Sequence, residues 1–195
     1  VENPYDPEQM SLPKILGRPE NKKVDIASKL ETYAKVRKIR ESTGTLHTPR
    51  GAGLLAKIGS AKGKQGDFSS ALQAYAEARE IYEETGTLDT SEGTQLLTNL
   101  GHARRECGDA KGALEAYTEA RKIRERMGTL EASEGVSLIR NIGVVKGRCG
   151  DSRGAEQAFK EACQLCEGAG LLHSREGVDA LTSMGRSKCD SGDTA

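Results

Sequence analysis

The sequence predicts an all-α solenoid in which antiparallel helix pairs stack in a row, and three observations carry this prediction. Sixteen of the 23 glycines fall on four registers that each repeat every 42 residues. The block 67–108 is identical to the block 109–150 at 21 of 42 positions. Within each block apolar residues follow the three-and-four spacing of helices, and no alternating run rich in β-branched residues indicates a strand. A period of this length is typical of stacked helical repeats.

Each block contains two predicted helices, which we call helix A and helix B. In one block, helix A covers residues 91–107 and carries Leu97 and Leu100 on its apolar face, while helix B covers residues 110–127 and carries Tyr117. The Gly-Asp pair between them predicts a turn, because the glycine can end helix A and the aspartate can cap helix B. The two helices are therefore expected to run antiparallel.

The loop "ETGTLDTSEG" connects one block to the next and recurs in altered form at each period. Gly86 lies where helix B must stop, and Thr90 can accept a hydrogen bond from a backbone N–H at the start of helix A. Thr48 and Ser174 share the Thr90 register, whereas Ala132 cannot cap. One leucine of each loop is predicted to lie beneath the next helix pair. These leucines are Leu46, Leu88, Leu130 and Leu172.

The ends of the chain break the period. Residues 1–24 hold four of the five prolines and predict an extended N-terminal arm, which is a flexible leader, an arm docked on its own repeats, or an anchor laid on another subunit. The candidate contact residues of the arm are Tyr5, Met10, Leu12, Ile15 and Leu16. The remaining segments are a half repeat 25–48, repeats 49–90, 91–132 and 133–174, and a half repeat 175–195. Half repeats at both ends favour a subunit of a larger assembly or a longer product.

Composition limits the classes of partner and compartment. The 29 basic and 29 acidic side chains balance, so a nucleic-acid partner is not expected, and no apolar run of 18 residues predicts a membrane span. Five cysteines in a chain of this size do not predict a disulfide framework, which favours a reducing, intracellular compartment, cytoplasmic or organellar. Because the chain begins at Val1, either a removed leader or a longer product is compatible with it.

No catalytic, metal or cofactor site is predicted. Cys163 and Cys166 form a C-x-x-C inside a helix B without a second pair, and Cys107 and Cys149 are expected to be buried packing residues. Four polar loop residues share a register but are expected about 8–10 Å apart, too far for acid–base partnership. They are His47, Asp89, Glu131 and His173.

The apolar pattern resembles the tetratricopeptide repeat, and within it the 42-residue variety of kinesin light chains. The resemblance covers about residues 25–192 and rests on large residues before a helix A glycine, followed by small, aromatic and small residues in helix B. One block carries these residues as Leu97, Leu100, Gly101, Ala113, Tyr117 and Ala120. The runs "YTEARKIRERMG" and "GTLHTP" are also similar to this variety. The resemblance implies a right-handed superhelix of about eight helices with a concave face.

The resemblance also implies that helix A supplies this face and that an Asn there binds the main chain of a peptide. That register reads Lys57, Asn99, Asn141 and Ser183, and its neighbours are Ser60, Lys64, His102, Arg105, Arg140, Arg148 and Arg186. Residues 50–66 hold four basic and no acidic side chains, which suggests an acidic or extended partner segment; an ordinary solvated helix face is the alternative. Two functions follow: a non-enzymatic scaffold that binds other protein chains, or a structural subunit of a large assembly, for example an organellar, energy-converting membrane complex.

Overall fold

The computed structural model describes the backbone of residues 19–190 and the side chains of residues 26–187. Within these residues there are eight α-helices and no strand, which confirms the predicted fold class. The helices are α1 (Pro19–Ser42), α2 (Pro49–Lys64), α3 (Phe68–Glu84), α4 (Ser91–Glu106), α5 (Ala110–Met127), α6 (Ser133–Arg148), α7 (Ser152–Gly168) and α8 (Arg175–Asp190).

Helix α1 begins earlier than the sequence predicts. Residues 19–24, assigned to the extended arm, are helical, because a proline at the first helical position lacks only an N–H that would have no helical partner there. The apolar residues of the arm, from Tyr5 to Leu16, lie outside the described residues.

The helices pack in chain order. The pairs α2–α3, α4–α5 and α6–α7 are antiparallel neighbours, and each pair packs on the next through α3–α4, α5–α6 and α7–α8. No pair encloses a core of its own, since buried residues of successive pairs form two clusters that both contact Leu88. Of the four loop leucines predicted to lie beneath the next helix pair, Leu46 is buried, and the other three are partly buried and pack against these clusters: Leu88, Leu130 and Leu172.

The loops end and start the helices as the sequence predicts. The Oγ1 of Thr90 accepts a hydrogen bond from the Gly93 N–H at 3.2 Å, and Asp109 accepts one from the Gly112 N–H at 2.8 Å. Ala132 makes no side-chain cap. Gly86 has a φ of 65°, the left-handed conformation that ends a helix at little cost only for glycine.

Helices A and B touch where an aromatic ring covers a glycine. A Cβ on Gly101 would lie 2.5 Å from the Tyr117 ring, so the ring fills the space that any larger residue would need. The same contact recurs one repeat earlier and one repeat later, between Gly59 and Tyr75 and between Gly143 and Phe159. The glycine therefore allows α4 and α5 to approach closely.

We expect Tyr117→Phe to stabilise the chain by about 1 kcal/mol. Tyr117 is fully buried, its hydroxyl has no hydrogen-bond partner, and burial raises its pKa to about 12. Removing the hydroxyl removes an unsatisfied polar group while keeping the ring, and Phe159 already fills this register in the next repeat. Thermal and urea unfolding measure the change; a lower midpoint for the variant would contradict it.

A ladder of ion pairs ties the B helices together. Arg121 of α5 bonds Glu125 on its own helix at 2.6 Å and Glu161 on α7 at 2.7 Å. The same two contacts are made by Arg37 with Glu41 and Glu77, and by Arg79 with Glu83 and Glu119. Each arginine links one repeat to the next, while Cys163 occupies this register on α7.

Helix α8 differs from the other A helices. Val178 and Leu181 are 54% and 43% exposed, whereas Val136 and Ile139, one repeat earlier, are fully buried. No atom lies within 4 Å of the position that a Cβ on Gly185 would take. In the part of the chain that the structure describes, this face of α8 therefore has no helix against it.

Candidate protein-binding groove

A groove of ≈980 Å³ runs along α1, α2 and α4 and is reached by single side chains of α3, α5 and α6. We call it the α1–α2–α4 groove. Three predicted binding residues line it: Lys57, Ser60 and Asn99. Lys57 and Asn99 occupy the same register of consecutive repeats, so the stacking of α2 and α4 brings them into one groove.

Much of the lining is apolar. Leu54 and Leu96 are buried residues of α2 and α4 that border the groove, and Tyr33 and Val36 of α1 border it as well. Tyr82 of α3 is also buried there, and desolvation, with a smaller effect of Glu92, raises its pKa. This apolar lining has the area to hold side chains of a ligand, and the polar groups along it have the chemistry to bind a main chain.

The charges along the groove are mainly positive. Four cationic side chains and two carboxylates line it. The cations are Arg40, Arg50, Lys57 and Arg124, and the carboxylates are Glu92 and Glu134. An acidic ligand is therefore attracted more strongly than a basic one.

Sequence reasoning missed Arg40 and Arg124, because both lie on B helices, whereas the resemblance directed attention to helix A. They share a register with Tyr82 and Cys166, which are buried. The sequence pattern that could have indicated them is an arginine at a register that holds buried residues in other repeats. The stacked structure is what places it beside the groove.

Asn99 has one local partner. Its Oδ1 accepts a hydrogen bond from Gln95 Nε2 at 3.1 Å, one helical turn away. The bond orients the Asn99 amide and leaves its NH2 group as a donor.

Three other predicted residues form a separate group on α6 and α8, away from the groove. Arg140 donates from Nε to Ser183 Oγ at 3.2 Å and from Nη1 to Asn141 Oδ1 at 3.4 Å. Arg140 also donates to the Asp179 carbonyl, and Ser183 Oγ donates to the same carbonyl at 2.7 Å. These groups form hydrogen bonds with one another. The side-chain oxygen of Asn141 therefore accepts from an arginine, whereas that of Asn99 accepts from Gln95.

A further pair, His102 and Arg105, lies on α4 around Glu106. Arg105 bonds Glu106 at 2.8 Å and lowers the pKa of its carboxyl group, and His102 lies 3.9 Å from it. Burial, with a smaller effect of Arg105, lowers the pKa of His102, whose ring lies 6.1 Å from the Phe68 ring. The remaining predicted residues, Lys64, Arg148 and Arg186, are exposed and do not line the groove.

Four of the five cysteines have side chains that the structure describes, and none of these four lies in an arrangement typical of a reactive thiol or a metal ligand. Cys163 and Cys166 are buried in α7, and burial raises the pKa of both thiols, the opposite of an activated cysteine. Cys107 and Cys149 are exposed, so the prediction that they are buried is wrong: each lies just after the last residue of its helix, beyond the packed face. Among the described residues, no cluster of His, Cys, Asp and Glu is arranged to hold a metal ion.

Two of the four polar loop residues, His47 and Asp89, have side-chain contacts in the structure. His47 Nδ1 lies 3.7 Å from Glu84, and Asp89 pairs with Arg126 at 3.0 Å, both at exposed positions. Each contacts the end of a helix rather than another member of its register. Across residues 19–190, no helix combines the length and hydrophobicity needed to cross a membrane.

Comparison with known proteins supports the fold. No protein-family model and no curated protein matches the sequence. Among solved structures, a kinesin light chain with nearly identical TPR-like repeats from Podosopora anserina matches with a TM-score of 0.76 and 12% identity, over 89% of this chain and 82% of that one. BtubC from P. vanneervenii matches with a TM-score of 0.69 and 16% identity, over 89% and 77%.

A Rap protein complexed with Competence and Sporulation Factor matches with a TM-score of 0.69 and 19% identity, over 89% of this chain and 46% of that one. The three matches share repeat architecture with this chain but little sequence. Together with the eight stacked helices, they confirm the resemblance at the level of fold. The chain has the fold of the tetratricopeptide-like repeat proteins.

Proposed function

We propose that this chain is a non-enzymatic protein-interaction scaffold that binds an extended, acidic partner segment in the α1–α2–α4 groove. The observation that carries the proposal is the groove itself, a volume of ≈980 Å³ lined by residues of two successive A helices. Pockets of this size with apolar walls and a few polar groups are typical of ligand sites.

The arrangement of groups favours an extended chain as ligand. Lys57 and Asn99 lie one repeat apart at the same register, so the groove offers equivalent contact positions one after another. An extended segment likewise presents its residues one after another along its length. The amide of Asn99 can donate to a backbone carbonyl, and Ser60 can donate or accept. The excess of cations favours acidic side chains on the ligand.

A structural neighbour adds support. The Rap protein with the same fold was solved in complex with Competence and Sporulation Factor, so this architecture can hold a partner. The neighbour shares only 19% identity, so it supports the class of function and not the identity of the ligand.

The test combines cross-linking with a matched pair of triple variants. A photoreactive residue at Gln95, which lines the groove, is expected to cross-link a partner segment, and Lys57→Ala, Ser60→Ala and Asn99→Ala together are expected to abolish the cross-link. The control triple, Lys64→Ala, Arg148→Ala and Arg186→Ala, removes exposed groups outside the groove and is expected to leave it intact. An equally strong cross-link in both triples would refute groove binding.

A second candidate is a structural subunit of a larger assembly, favoured by the exposed face of α8. Val178 and Leu181 occupy registers that are buried in every earlier A helix, which makes this face a candidate contact for another chain. Photo-crosslinking from position 178 in the native assembly tests it. A cross-link to a different chain supports this role, and a cross-link only within the same polypeptide contradicts it.

A further inference from the structure

Arg124 is a buried arginine without a partner. Only 4% of it is exposed, its Nε has no hydrogen-bond partner, and its side chain makes no ion pair or hydrogen bond among the described residues. Arg121, three residues earlier on the same helix, donates to both Glu125 and Glu161. Of the three arginines of α5, Arg121 and Arg126 form ion pairs within the described part of the chain and Arg124 does not.

An unpaired buried arginine is unusual because it is costly. The guanidinium group stays protonated at any physiological pH, so it cannot avoid the cost by losing its charge. Buried charges in proteins are normally paired or hydrogen-bonded, and the Nε–H of Arg124 loses its hydration without gaining a hydrogen bond. The arginine would be satisfied by an acceptor that enters from outside.

The groove is where such an acceptor can enter, since Arg124 lines it. Arg40 lines the same groove, and its Nε is also buried without a partner. The two arginines occupy the same register two repeats apart, which corresponds to roughly 20 Å at about 10 Å per packed helix pair. A single small anion cannot reach both, whereas about six residues of extended chain span this distance.

We propose that Arg124 is the anion-recognition residue of the groove and that it receives the carboxylate of an acidic side chain on the bound segment. This inference rests on the proposed function and adds the chemistry of one position of the ligand. A carboxylate supplies the acceptor oxygens that the guanidinium lacks, in the geometry that arginine favours. Glu92 and Glu134 also line the groove, so isolated acidic residues fit better than a run of them.

The first test is a selection of random twelve-residue peptides on the full chain. Peptides bound by the wild-type chain are expected to be enriched in Asp or Glu at one position, and the enrichment is expected to disappear with Arg124→Met. Arg126→Met is the matched control, because Arg126 lies on the same helix but is exposed and paired with Asp89. Unchanged acidic enrichment with Arg124→Met would overturn the inference.

The second test is a double-mutant cycle on one selected peptide. Replacing its acidic residue with Gln is expected to weaken binding to the wild-type chain about ten- to a hundredfold and to have little effect on binding to Arg124→Met. Equal losses for both proteins would show that the carboxylate is bound elsewhere. Inorganic phosphate is the probe for a small-anion site: peptide displacement by millimolar phosphate through Arg124 would also overturn the inference.

Stability distinguishes recognition from a structural role. Because Arg124→Met removes an unpaired buried charge and keeps an apolar side chain of similar length, the melting temperature of the free chain is expected to stay the same or rise by roughly 5 °C. A clear decrease would indicate that the arginine supports the fold. If no peptide is selected, the proposed function fails as well; if peptides bind through Lys57, Ser60 and Asn99 without any acidic preference, only this inference fails.

Discussion

Gly51→Ala is expected to destabilise the chain by about 3 kcal/mol, because there is no room for a methyl group at this position. A Cβ on Gly51 would overlap the backbone carbonyl of Leu46, the buried leucine of the preceding loop. A backbone atom cannot turn aside as a flexible side chain can, so either the loop or the start of α2 must move. Urea unfolding followed by circular dichroism measures the loss.

The control lies two residues further along the same helix. A Cβ on Gly53 would meet only the Tyr82 hydroxyl at 3.6 Å, an ordinary contact, so Gly53→Ala is expected to be neutral or to stabilise by up to about 1 kcal/mol. If Gly51→Ala and Gly53→Ala behave alike, the overlap with the loop does not determine the choice of glycine.

Gly101→Ala is expected to destabilise the chain by about 2 kcal/mol, although alanine is the better helix former. Its Cβ would lie 2.5 Å from the ring of Tyr117, which is fully buried and has no space to move into. The helices α4 and α5 would have to separate. Hydrogen exchange of the two helices measures this locally, and protection is expected to fall there before it falls in α2 and α3.

Gly185→Ala tests the same register without the ring. Among the described residues, no atom beyond the adjacent backbone of its own helix lies within 4 Å of its added Cβ, so the variant is expected to stabilise α8 by about 1 kcal/mol through helix propensity alone. If Gly185→Ala instead destabilises the chain, the gain expected from helix propensity is wrong, because no ring among the described residues contacts this position. A stable Gly101→Ala would contradict the close packing of α4 on α5.

Much of the fold was predictable, because each repeat carries similar turn, cap and apolar residues at the same spacing. The caps by Thr90 and Asp109, the glycine that ends helix B, and the ring at Tyr117 all follow from spacing along the chain. Where a residue lies at the edge of this pattern, prediction was weaker. The start of α1 lies before the first repeat, and Cys107 lies just after the last residue of α4.

The candidate site was predictable only in part. Lys57 and Asn99 line the groove because they share a register of consecutive A helices, a property that the sequence displays, and Ser60 lies three residues after Lys57 on the same helix. Asn141 and Ser183 occupy the register of Lys57 and Asn99, yet both accept hydrogen bonds from Arg140. Equivalent registers therefore do not guarantee equivalent surroundings when the side chains of the next helix differ.

By itself the sequence determined the 42-residue period, the helix boundaries within the repeats and the pairing of helices, because these depend on turns, caps and apolar spacing within about one repeat. Only the tertiary structure decided which charges remain unpaired. Arg121 and Arg124 are three residues apart on one helix, and the stacking of repeats gives glutamates to the first and an open groove to the second. A partner supplied by a distant part of the chain is not visible in local sequence, since it depends on how successive helices pack.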